Sequence, residues 1–399
     1  MTLRSFRPAL GFIFVTAVLD IMAMGLVIPV LPQLIVEFTG SEADAGFWNG
    51  ALVAIWAAMQ FLCSPVIGSI SDRYGRRPTI LVSAAGLSID WALMALAPNL
   101  WWLAVGRAIG GVTSSSFTAI YAYMADITAP EDRARAFGLI SAAFSAGFVA
   151  GPALGGLLGT FGPRVPFWVA AALSALAFVY GLFILPESLP REKRMAFSWA
   201  RANPFGALKL LLSHPELTGL ATVNFALYFA HHVFSAVFVL YAGHRYGWGV
   251  FEVGMLLAFV GVLDVVMQGL IVGRVVKRLG DRRTMVIGLA MGAVGLACMG
   301  LANTGLLFAL AMIPNAFWGL AMPTIQSLMT ARVSESEQGQ LQGANNSVGA
   351  IAGVASPLFF GWLYGVTVDD HPGISLLVAA LISVVAAIGG AITARRFAR

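Results

Sequence analysis

The segment GSISDRYGRRPTI at residues 68–80 occurs a second time, in altered form, as GRVVKRLGDRRTM at residues 273–285. The two copies align at an offset of 205 residues, and the same offset places GPALGG (151–156) over SPLFFG (356–361). One such match could arise by chance, but two matches at one offset indicate an internal duplication. The identical positions in the first pair are Gly68 and Gly273, Arg73 and Arg278, Gly75 and Gly280, Arg77 and Arg282, and Thr79 and Thr284.

The composition around these repeats is that of a membrane protein. Of the 399 residues 59% are apolar and 11% are charged, whereas soluble domains carry about 25% charged residues. Apolar runs of about twenty residues, the length that crosses a bilayer, recur along the whole chain. We therefore predict an all-α membrane protein with twelve transmembrane helices. The predicted spans are 9–33, 46–67, 79–97, 100–124, 134–158, 164–185, 215–242, 250–273, 284–303, 305–329, 338–365 and 373–394.

One long polar interval, PESLPREKRMAFSWARANPFGALKLLLSHP, separates the sixth predicted span from the seventh. It divides the chain into two six-helix halves, 1–185 and 214–399, joined by a central loop at 186–213. Lys and Arg are concentrated at the two ends, in this loop and after the even-numbered spans, whereas the loops on the opposite side contain Arg164 and Arg245. By the positive-inside rule, both termini and the central loop are cytoplasmic. The basic excess is thus a topology signal and does not indicate nucleic-acid binding.

Four charged residues lie well inside predicted spans, where they need an explanation. A charge at the centre of a membrane helix costs about 2.5–3.5 kcal/mol even on a lenient insertion scale. A buried acid can bind a proton in one conformation and release it in another, which predicts proton or cation coupling. The alternative is a fixed ion pair between the one buried cation and one acid, which would leave two acids unexplained. The four residues are Asp20, Asp90, Asp264 and Arg107.

Several motifs carry a resemblance to a known family. The pattern Gly-x-x-x-Asp-Arg-x-Gly-Arg-Arg at 68–77 resembles the signature loop of the major facilitator superfamily, and LAVGRAIGGV, which contains Arg107, resembles its fourth-span motif. GFVAGPALGG (147–156) is similar to the fifth-span motif of its antiporter branch. Within that branch, LDIMAMGLVIPVLPQL, LYAGHRYGW and MPTIQSLMTARVSESEQGQLQG resemble the tetracycline/proton antiporters.

The resemblance implies the major facilitator fold and a multi-pass secondary active transporter of the cell inner membrane, built from two parallel six-span repeats. It further implies proton-coupled efflux of a tetracycline-like or other amphipathic drug, and hence antibiotic resistance. The alternatives are export or import of a different small molecule, and a transporter-like sensor. The expected partners are the substrate, protons and the lipid bilayer, and a monomer is compatible with the sequence.

An enzyme is not expected from this sequence. Motifs such as HExxH, GxSxG and the phosphate-binding loop GxxxxGKS/T are absent from it. We therefore expect no catalytic residue, no metal and no cofactor, although the substrate could be a chelate of a divalent cation.

The resemblance also assigns a gating role to the signature loop. Its Asp72 is expected to act as a latch that meets the N-terminus of the eleventh helix, for which SESEQGQLQG (334–343) provides the start. A helix N-terminus favours an anion through its dipole. The alternative is that the arginines of the loop act as topology determinants alone. The predicted gating residues are Gly68, Asp72, Arg73, Gly75 and Arg76.

The chain departs from the tetracycline antiporters in its second half. Asp20, Asp90 and Gln268 occupy positions where those proteins have the same residues, but Asp264 stands where they have His. The acid of their ninth span corresponds to Gly292 here. We therefore hypothesise that Asp264 takes over the coupling role of the missing acid.

Other polar residues inside predicted spans are candidates for substrate binding. His231 and His232 lie in the seventh span, and one of them aligns with a Gln of the family. A buried His can equally bond a neighbouring helix, so both interpretations stay open. The predicted substrate-binding residues are His231, His232, Gln268, Gln326 and Asn345.

Overall fold

The computed structural model describes residues 7–396 except 116, 130–131, 200–202, 207, 214 and 335–336. The predictions for the two chain ends, for part of the central loop and for part of the 334–343 segment therefore lie outside the described residues. The described part of the chain is helical and contains no strand, which confirms the all-α prediction.

The described residues form helices α1 to α17 and three short turns of other helical types. In chain order the helices are α1 Arg7–Val27, α2 Leu31–Thr39, α3 Glu42–Tyr74, α4 Arg76–Ala95, α5 Leu100–Ser114, α6 Phe117–Ile127, α7 Arg133–Gly159, α8 Val165–Ile184, α9 Leu208–Ser213, α10 Pro215–His231, α11 Val233–Tyr246, α12 Val250–Val266, α13 Val272–Leu301, α14 Gly305–Ala316, α15 Ala321–Thr330, α16 Gln338–Thr367 and α17 Ile374–Arg396. The short turns are the 3-10 turns Arg191–Lys193 and Phe317–Leu320 and the π-helical turn Met267–Ile271.

Ten helical stretches among the described residues are long and apolar enough to cross a membrane. Two features account for the difference from the twelve predicted spans. The stretch Val250–Leu301 is 52 residues long and includes the eighth and most of the ninth predicted span, which are separated by the non-helical turn at Gly280. The described residues of the fourth predicted span belong to α5 and α6, each of which is shorter than a membrane crossing, and residue 116 between them lies outside the described part of the chain.

Corresponding helices of the two repeats begin with the same kind of cap. Asn99 Oδ1 accepts a hydrogen bond of 3.2 Å from the Trp102 amide at the start of α5. Thr304, which lies 205 residues later, accepts one of 3.3 Å from the Leu307 amide at the start of α14. A side-chain oxygen at this position satisfies an amide that the first helical turn leaves unpaired. Both helices therefore start at the residue that follows the cap.

The turns at Gly75 and Gly280 have the same type of backbone conformation. Gly75 adopts φ 113° and ψ 160°, and Gly280 adopts φ 73° and ψ 163°. Residues with a Cβ rarely enter this region, so the turn requires glycine. In each copy a threonine four residues later, Thr79 or Thr284, donates a hydrogen bond from its hydroxyl to the glycine carbonyl. The repeated sequence is therefore also a repeated local structure.

Alanine at the two glycines tests how far each turn depends on its surroundings. Both changes force a Cβ into a positive-φ backbone, which costs about 1–3 kcal/mol. At Gly75 the added carbon would also collide with the Glu187 carboxylate, whereas nothing lies within 4 Å of it at Gly280. We expect Gly75→Ala to lower the thermal unfolding midpoint of the detergent-solubilised protein more than Gly280→Ala does. Equal shifts in the two melting curves would show that backbone strain alone governs both turns.

Contacts divide the chain into two compact units, each of which includes a short segment from the other sequence half. The first unit consists of Met1–Leu34, Ile55–Pro204 and Val250–Ala258, and the second of Ile35–Ala54, Phe205–Gly249 and Phe259–Arg399. The halves at 1–185 and 214–399 stay a prediction. Each unit has its own apolar core. The first core includes Ile13, Ile80, Ile120, Tyr123, Met124 and Ile140, and the second Leu217, Leu220, Met285, Leu289, Ile325, Met329 and Leu341.

Glycine allows close helix packing in the first unit. Gly151 of α7 faces Gly25 of α1 so closely that an added Cβ would lie 2.8 Å from the Gly25 Cα. A Cβ on Gly254 of α12 would lie 2.8 Å from the Gly156 Cα and 2.5 Å from the Pro152 carbonyl oxygen. Helices in lipid gain no hydrophobic effect from meeting each other, so these backbone contacts supply much of their attraction.

The second unit repeats this packing at corresponding positions. Gly50 of α3 lies against the Pro357 carbonyl of α16, and a Cβ on Gly361 would lie 3.0 Å from the Gly50 Cα. Pro152 and Pro357 both lie inside their helices. The combination of an intrahelical proline with a glycine packed on its carbonyl therefore occurs once in each unit.

A π-helical turn, Met267–Ile271, interrupts the long helical run Val250–Leu301. A π turn contains more residues than an α turn, so it changes which side chains share a helix face. It begins three residues after Asp264 and contains Gln268. The predicted binding residue Gln268 thus lies in an irregular turn, and the predicted coupling residue Asp264 lies in the helix just before it.

Candidate functional site

Asp90 of α4 is buried against two glycines of α5. It is 0% exposed, and a Cβ added at Gly106 would lie 2.9 Å from its Oδ1, while one at Gly110 would collide with its Oδ2. The two glycines are one turn apart on the same helix face, so the carboxylate rests directly on the α5 backbone. Neither carboxylate oxygen has a hydrogen-bond partner among the described residues.

Arg107 lies beside these glycines on α5 and is 9% exposed. Its guanidinium carbon lies 5.6 Å from the centre of the Trp56 ring, which is a cation–π arrangement. Arg107 and Asp90 interact electrostatically, but no hydrogen bond joins them, and Arg107 Nε has no partner in the described part of the chain. Trp56 was not predicted, because a tryptophan in an apolar run carries no signal of its partner.

Asp20 of α1 is half-buried, and its Oδ1 is enclosed without a hydrogen-bond partner among the residues that the structure describes. Thr16, one turn earlier on the same face, also has an enclosed hydroxyl without a described partner. The first unit therefore contains two places, at Asp20 and at Asp90, where a carboxylate oxygen is enclosed with no donor bound to it.

In the second unit, Asp264 lies in the last turn of α12 and is half-buried. Gln268 lies in the π-helical turn that follows and is exposed. Gly319, on the turn between α14 and α15, lies next to this segment, since a Cβ added there would be 3.3 Å from Met267. The acid and the amide therefore lie on either side of a point where the π-helical turn packs closely on the tenth predicted span.

Gly292, the position of the missing acid, is packed against Trp318. A Cβ added at Gly292 would lie 3.3 Å from Trp318 Cβ and 3.4 Å from its Cδ1. Trp318 stacks on His231, with ring centres 3.8 Å apart and ring planes 11° from parallel. Asn315 donates a hydrogen bond of 3.4 Å to the Gly292 carbonyl. An aromatic stack thus lies where the related antiporters are expected to have a carboxylate.

His232 stands at the junction between two helices. α10 ends at His231 and α11 begins at Val233, and the His232 amide donates a hydrogen bond of 3.0 Å to the Tyr228 carbonyl, so the two helices follow one another within the seventh predicted span. His232 lies near the Tyr228 ring, with 6.5 Å between ring centres and 24° between planes. A Cβ added at Gly349 of α16 would lie 3.3 Å from the same tyrosine ring. Both histidines therefore belong to aromatic clusters that extend to neighbouring helices.

Gln326 of α15 is exposed and hydrogen-bonded to Gln342 of α16. Gln342 in turn donates a hydrogen bond of 3.2 Å to Asn346, which is also exposed. Asn345 differs from its neighbour, because it is 8% exposed and its Oδ1 has no partner among the described residues. The sequence analysis selected Gln326 and Asn345 but not Gln342, since a glutamine near a helix start carries little signal by itself.

Arg76 is the centre of a polar network at the start of α4. It is 8% exposed and donates hydrogen bonds to Asp72 Oδ1 (2.7 Å), Asp126 Oδ2 (3.2 Å) and the Ser71 hydroxyl (3.1 Å). A buried guanidinium is tolerated when it has acceptors of this kind. Asp126 was not predicted, because an acid beside a polar loop does not reveal its partner.

The other predicted gating residues have fewer contacts. Arg73 is exposed and lies 5.1 Å from the centre of the Tyr74 ring. A Cβ added at Gly68 would meet nothing within 4 Å. The latch between Asp72 and the 334–343 segment stays a prediction.

The first residues of the central loop fold back on the Arg76 network. Glu187 Oε1 accepts a hydrogen bond of 2.9 Å from the Arg76 amide, and the Glu187 carboxylate forms an ion pair with Arg194 at 3.8 Å. The Met195 amide donates to the Asp72 carbonyl at 3.1 Å. Glu187 therefore caps the start of α4 from a distant part of the chain, which no local sequence pattern indicates.

Comparison with known proteins places the chain in a family. Residues 13–357 match the model of the Major Facilitator Superfamily. The tetracycline resistance protein, class C, of Escherichia coli is 37% identical over 377 residues, which cover 94% of this chain and 95% of that protein. The tetracycline resistance protein, class G, of Vibrio anguillarum is 36% identical, and the alignment covers 91% of this chain and 92% of that protein.

A solved structure shares the fold. The structure of a mutant of the nucleoside transporter NupG matches with a TM-score of 0.83 at 14% identity and covers 96% of this chain and 99% of that one. The fold class predicted from the sequence is thereby confirmed. Because the family model matches most of the chain and relatives with more than 30% identity align along nearly its whole length, the chain belongs to the Major Facilitator Superfamily.

Proposed function

We propose that this chain exports a tetracycline-like amphipathic drug in exchange for protons. The observation that carries the proposal is the pair of enclosed acids without bound donors, Asp20 and Asp90, in a chain of a transporter family. Relatives that are 37% and 36% identical are tetracycline resistance proteins, which supports the substrate class. The export direction is supported by the resemblance of residues 147–156 to the fifth-span motif of the antiporter branch.

Enclosed acids without donors suit an exchange of ligands. An ionised carboxylate in such a place is destabilised, since nothing replaces the water that its oxygens lose. Binding a proton or a cationic group to the carboxylate removes this destabilisation. The occupied and the vacant carboxylate therefore favour different packing around Asp90. Protons and drug are exchanged if they compete for the same carboxylates, because each can then leave only when the other has taken its place.

The positive charge of Arg107 has two favourable positions, one beside Asp90 and one over the Trp56 ring. It lies near Asp90 without a hydrogen bond to it and also contacts the Trp56 ring. When Asp90 takes up a proton, the attraction between the two groups falls and the contact with Trp56 remains. We infer that Arg107 shifts towards Trp56 on protonation and towards Asp90 on release.

The second unit has an acid and flat rings of its own. Asp264 provides the carboxylate, and the stack of His231 on Trp318 provides a planar surface on which a multi-ring drug can lie. The remaining predicted binding residues, Gln268, Gln326 and Asn345, offer hydrogen bonds to the polar groups of such a drug. A substrate that carries a chelated divalent cation would be attracted to Asp264.

The orientation is part of the proposal. The distribution of Lys and Arg places both termini and the central loop in the cytoplasm and the helices in the inner membrane. The Arg76 network and Glu187 then lie at the cytoplasmic surface. There they join the start of α4 to the central loop, so a conformational change of the transporter has to move this region as one piece or break its hydrogen bonds.

Expression in a bacterial host that lacks its own drug exporters tests the function. We expect raised tolerance to tetracyclines, because export lowers the internal drug concentration, and little change for unrelated amphipathic compounds. Everted membrane vesicles should accumulate tetracycline when a pH gradient is imposed and lose it when the gradient is collapsed. Tolerance without vesicle uptake would favour a sensor, and uptake that survives collapse of the gradient would contradict proton coupling.

A further inference from the structure

Three amide side chains form a hydrogen-bonded series on the surface of the second unit. Gln326 donates to Gln342, and Gln342 donates to Asn346 at 3.2 Å. All three are exposed, and they come from two helices, α15 and α16. We call this series the amide ladder.

The amide ladder lies within membrane-spanning helices. α16 begins at Gln338, and at a rise of about 1.5 Å per residue Asn346 lies roughly 12 Å further along its axis. Gln326 belongs to the stretch Gly305–Thr330, which is apolar enough to cross the membrane. The ladder therefore runs from one membrane surface towards the interior.

Exposed amides at this depth face water. Moving an amide from water into hydrocarbon costs about 4–8 kcal/mol when its hydrogen bonds are not replaced. The three amides make two hydrogen bonds among themselves, which leaves most of their donors and acceptors to be satisfied from outside the ladder. Polar side chains in membrane helices accordingly face the bundle interior or a water-filled cavity. The ladder thus lines a polar surface that a solute can reach.

The direction of its hydrogen bonds gives the amide ladder two different ends. Gln326 donates to Gln342, and Gln342 donates to Asn346. At the inner end the side-chain nitrogen of Asn346 is therefore left to donate a hydrogen bond, and at the outer end the side-chain oxygen of Gln326 is left to accept one. Asn345, whose enclosed Oδ1 has no described partner, is next to the inner end. A ligand that fits the ladder presents an oxygen to Asn346 and a hydroxyl or N–H group to Gln326.

Aromatic rings continue from the inner end. Gly349, three residues after Asn346, is so close to Tyr228 that an added Cβ would lie 3.3 Å from the ring. Tyr228 in turn lies over His232. The surface therefore changes from amides to flat rings within about one helical turn, which suits a ligand with a polar edge and a flat apolar body.

We propose that the amide ladder is the subsite for the uncharged polar edge of the substrate, an edge of adjacent carbonyl and hydroxyl groups. This inference rests on the proposed function and its orientation, in which the outer end of the ladder is cytoplasmic. The ladder contains no titratable group, so it contributes to binding and not to proton coupling. Gln342 is its central member, because it both donates to Asn346 and accepts from Gln326.

Two substitutions that remove the hydrogen bonds and nearly keep the volume test the subsite. We expect Gln342→Met and Asn346→Leu each to weaken equilibrium binding of tetracycline to the purified full-length protein about tenfold, or ~1.4 kcal/mol. In everted vesicles the KM should rise by a similar factor, while the maximal pH-driven rate stays unchanged. Gln340→Met is the matched control, because Gln340 is an exposed glutamine of the same helix on a different face.

The outcomes separate the inference from the proposed function. If Gln342→Met and Gln340→Met bind tetracycline equally, the amide ladder is structural and the inference is overturned. Should Gln342→Met not fold, Gln342→Asn keeps an amide but is too short to bridge its partners, and unchanged binding by that variant overturns the inference as well. Failure of the unmodified protein to bind tetracycline would refute the proposed function and the subsite together, whereas unaffected variants of a protein that binds refute the subsite alone.

Discussion

Asp90→Asn is expected to abolish proton-driven accumulation of tetracycline while the protein remains folded and inserted. Asparagine has nearly the same shape, so the contacts with Gly106 and Gly110 are kept. It cannot take up or release a proton, however, and the exchange loses its driving ligand. We expect the initial rate of pH-driven uptake into everted vesicles to fall by about 100-fold, equivalent to ~2.7 kcal/mol of barrier.

The matched control for this change is Asp44→Asn. Asp44 is an exposed acid in the first turn of α3, so its neutralisation should leave the rate unchanged. Asp20→Asn should behave like Asp90→Asn, because Asp20 also has an enclosed oxygen without a described partner. Uptake by Asp90→Asn at the unmodified rate would show that this carboxylate has a structural role and no part in coupling.

Gly292→Asp, which restores the ninth-span acid of the tetracycline antiporters, is expected to inactivate the protein. The new Cβ would lie 3.3 Å from Trp318, and the carboxylate beyond it would have to displace an indole that is stacked on His231. Overpacking alone costs about 1–3 kcal/mol, and a buried carboxylate without a donor adds to this. The amount of folded protein after solubilisation and the rate of pH-driven uptake should both fall.

Two further variants identify the cause. Gly292→Ala adds the carbon without the charge and should give a milder loss. Combining Gly292→Asp with Trp318→Leu removes the ring and should recover folded protein. With that space available, adding Asp264→His recreates the charge arrangement of the related antiporters and should recover pH-driven uptake. A Gly292→Asp protein that folds and transports like the unmodified one would show that Trp318 moves aside readily.

Much of the architecture could be predicted from the sequence, because membrane helices are selected by composition and length. Twelve apolar runs and the glycine-dependent turn at Gly75 are visible in the residues themselves. The π-helical turn Met267–Ile271 and the helix junction at His232 were not predicted. Both depend on how neighbouring helices pack. A run of twenty apolar residues has the same composition whether its helix is straight, irregular or continuous with the next helix.

The candidate site was predictable where charge stands out against an apolar background. Asp20, Asp90 and Arg107 were found in this way. Their surroundings could not be found, because contacts such as that of Trp56 with Arg107, or of Glu187 with the start of α4, join residues far apart in the sequence. When a residue type is common in a given kind of segment, its presence there does not indicate a partner that is distant in the sequence.

The spacing between equivalent positions of the two repeats is not constant. Gly50 and Gly254 each pack on the carbonyl of an intrahelical proline and are 204 residues apart. Gly75 and Gly280, which share one type of turn, are 205 residues apart. The second copy therefore has one residue more than the first between these two points.

The π-helical turn Met267–Ile271 lies in that interval. Because a π turn holds an additional residue within a helix that otherwise continues, it accommodates the extra residue of the second copy. The glycine contacts before this turn and the glycine turn after it can therefore match those of the first copy, although the second copy is one residue longer between them.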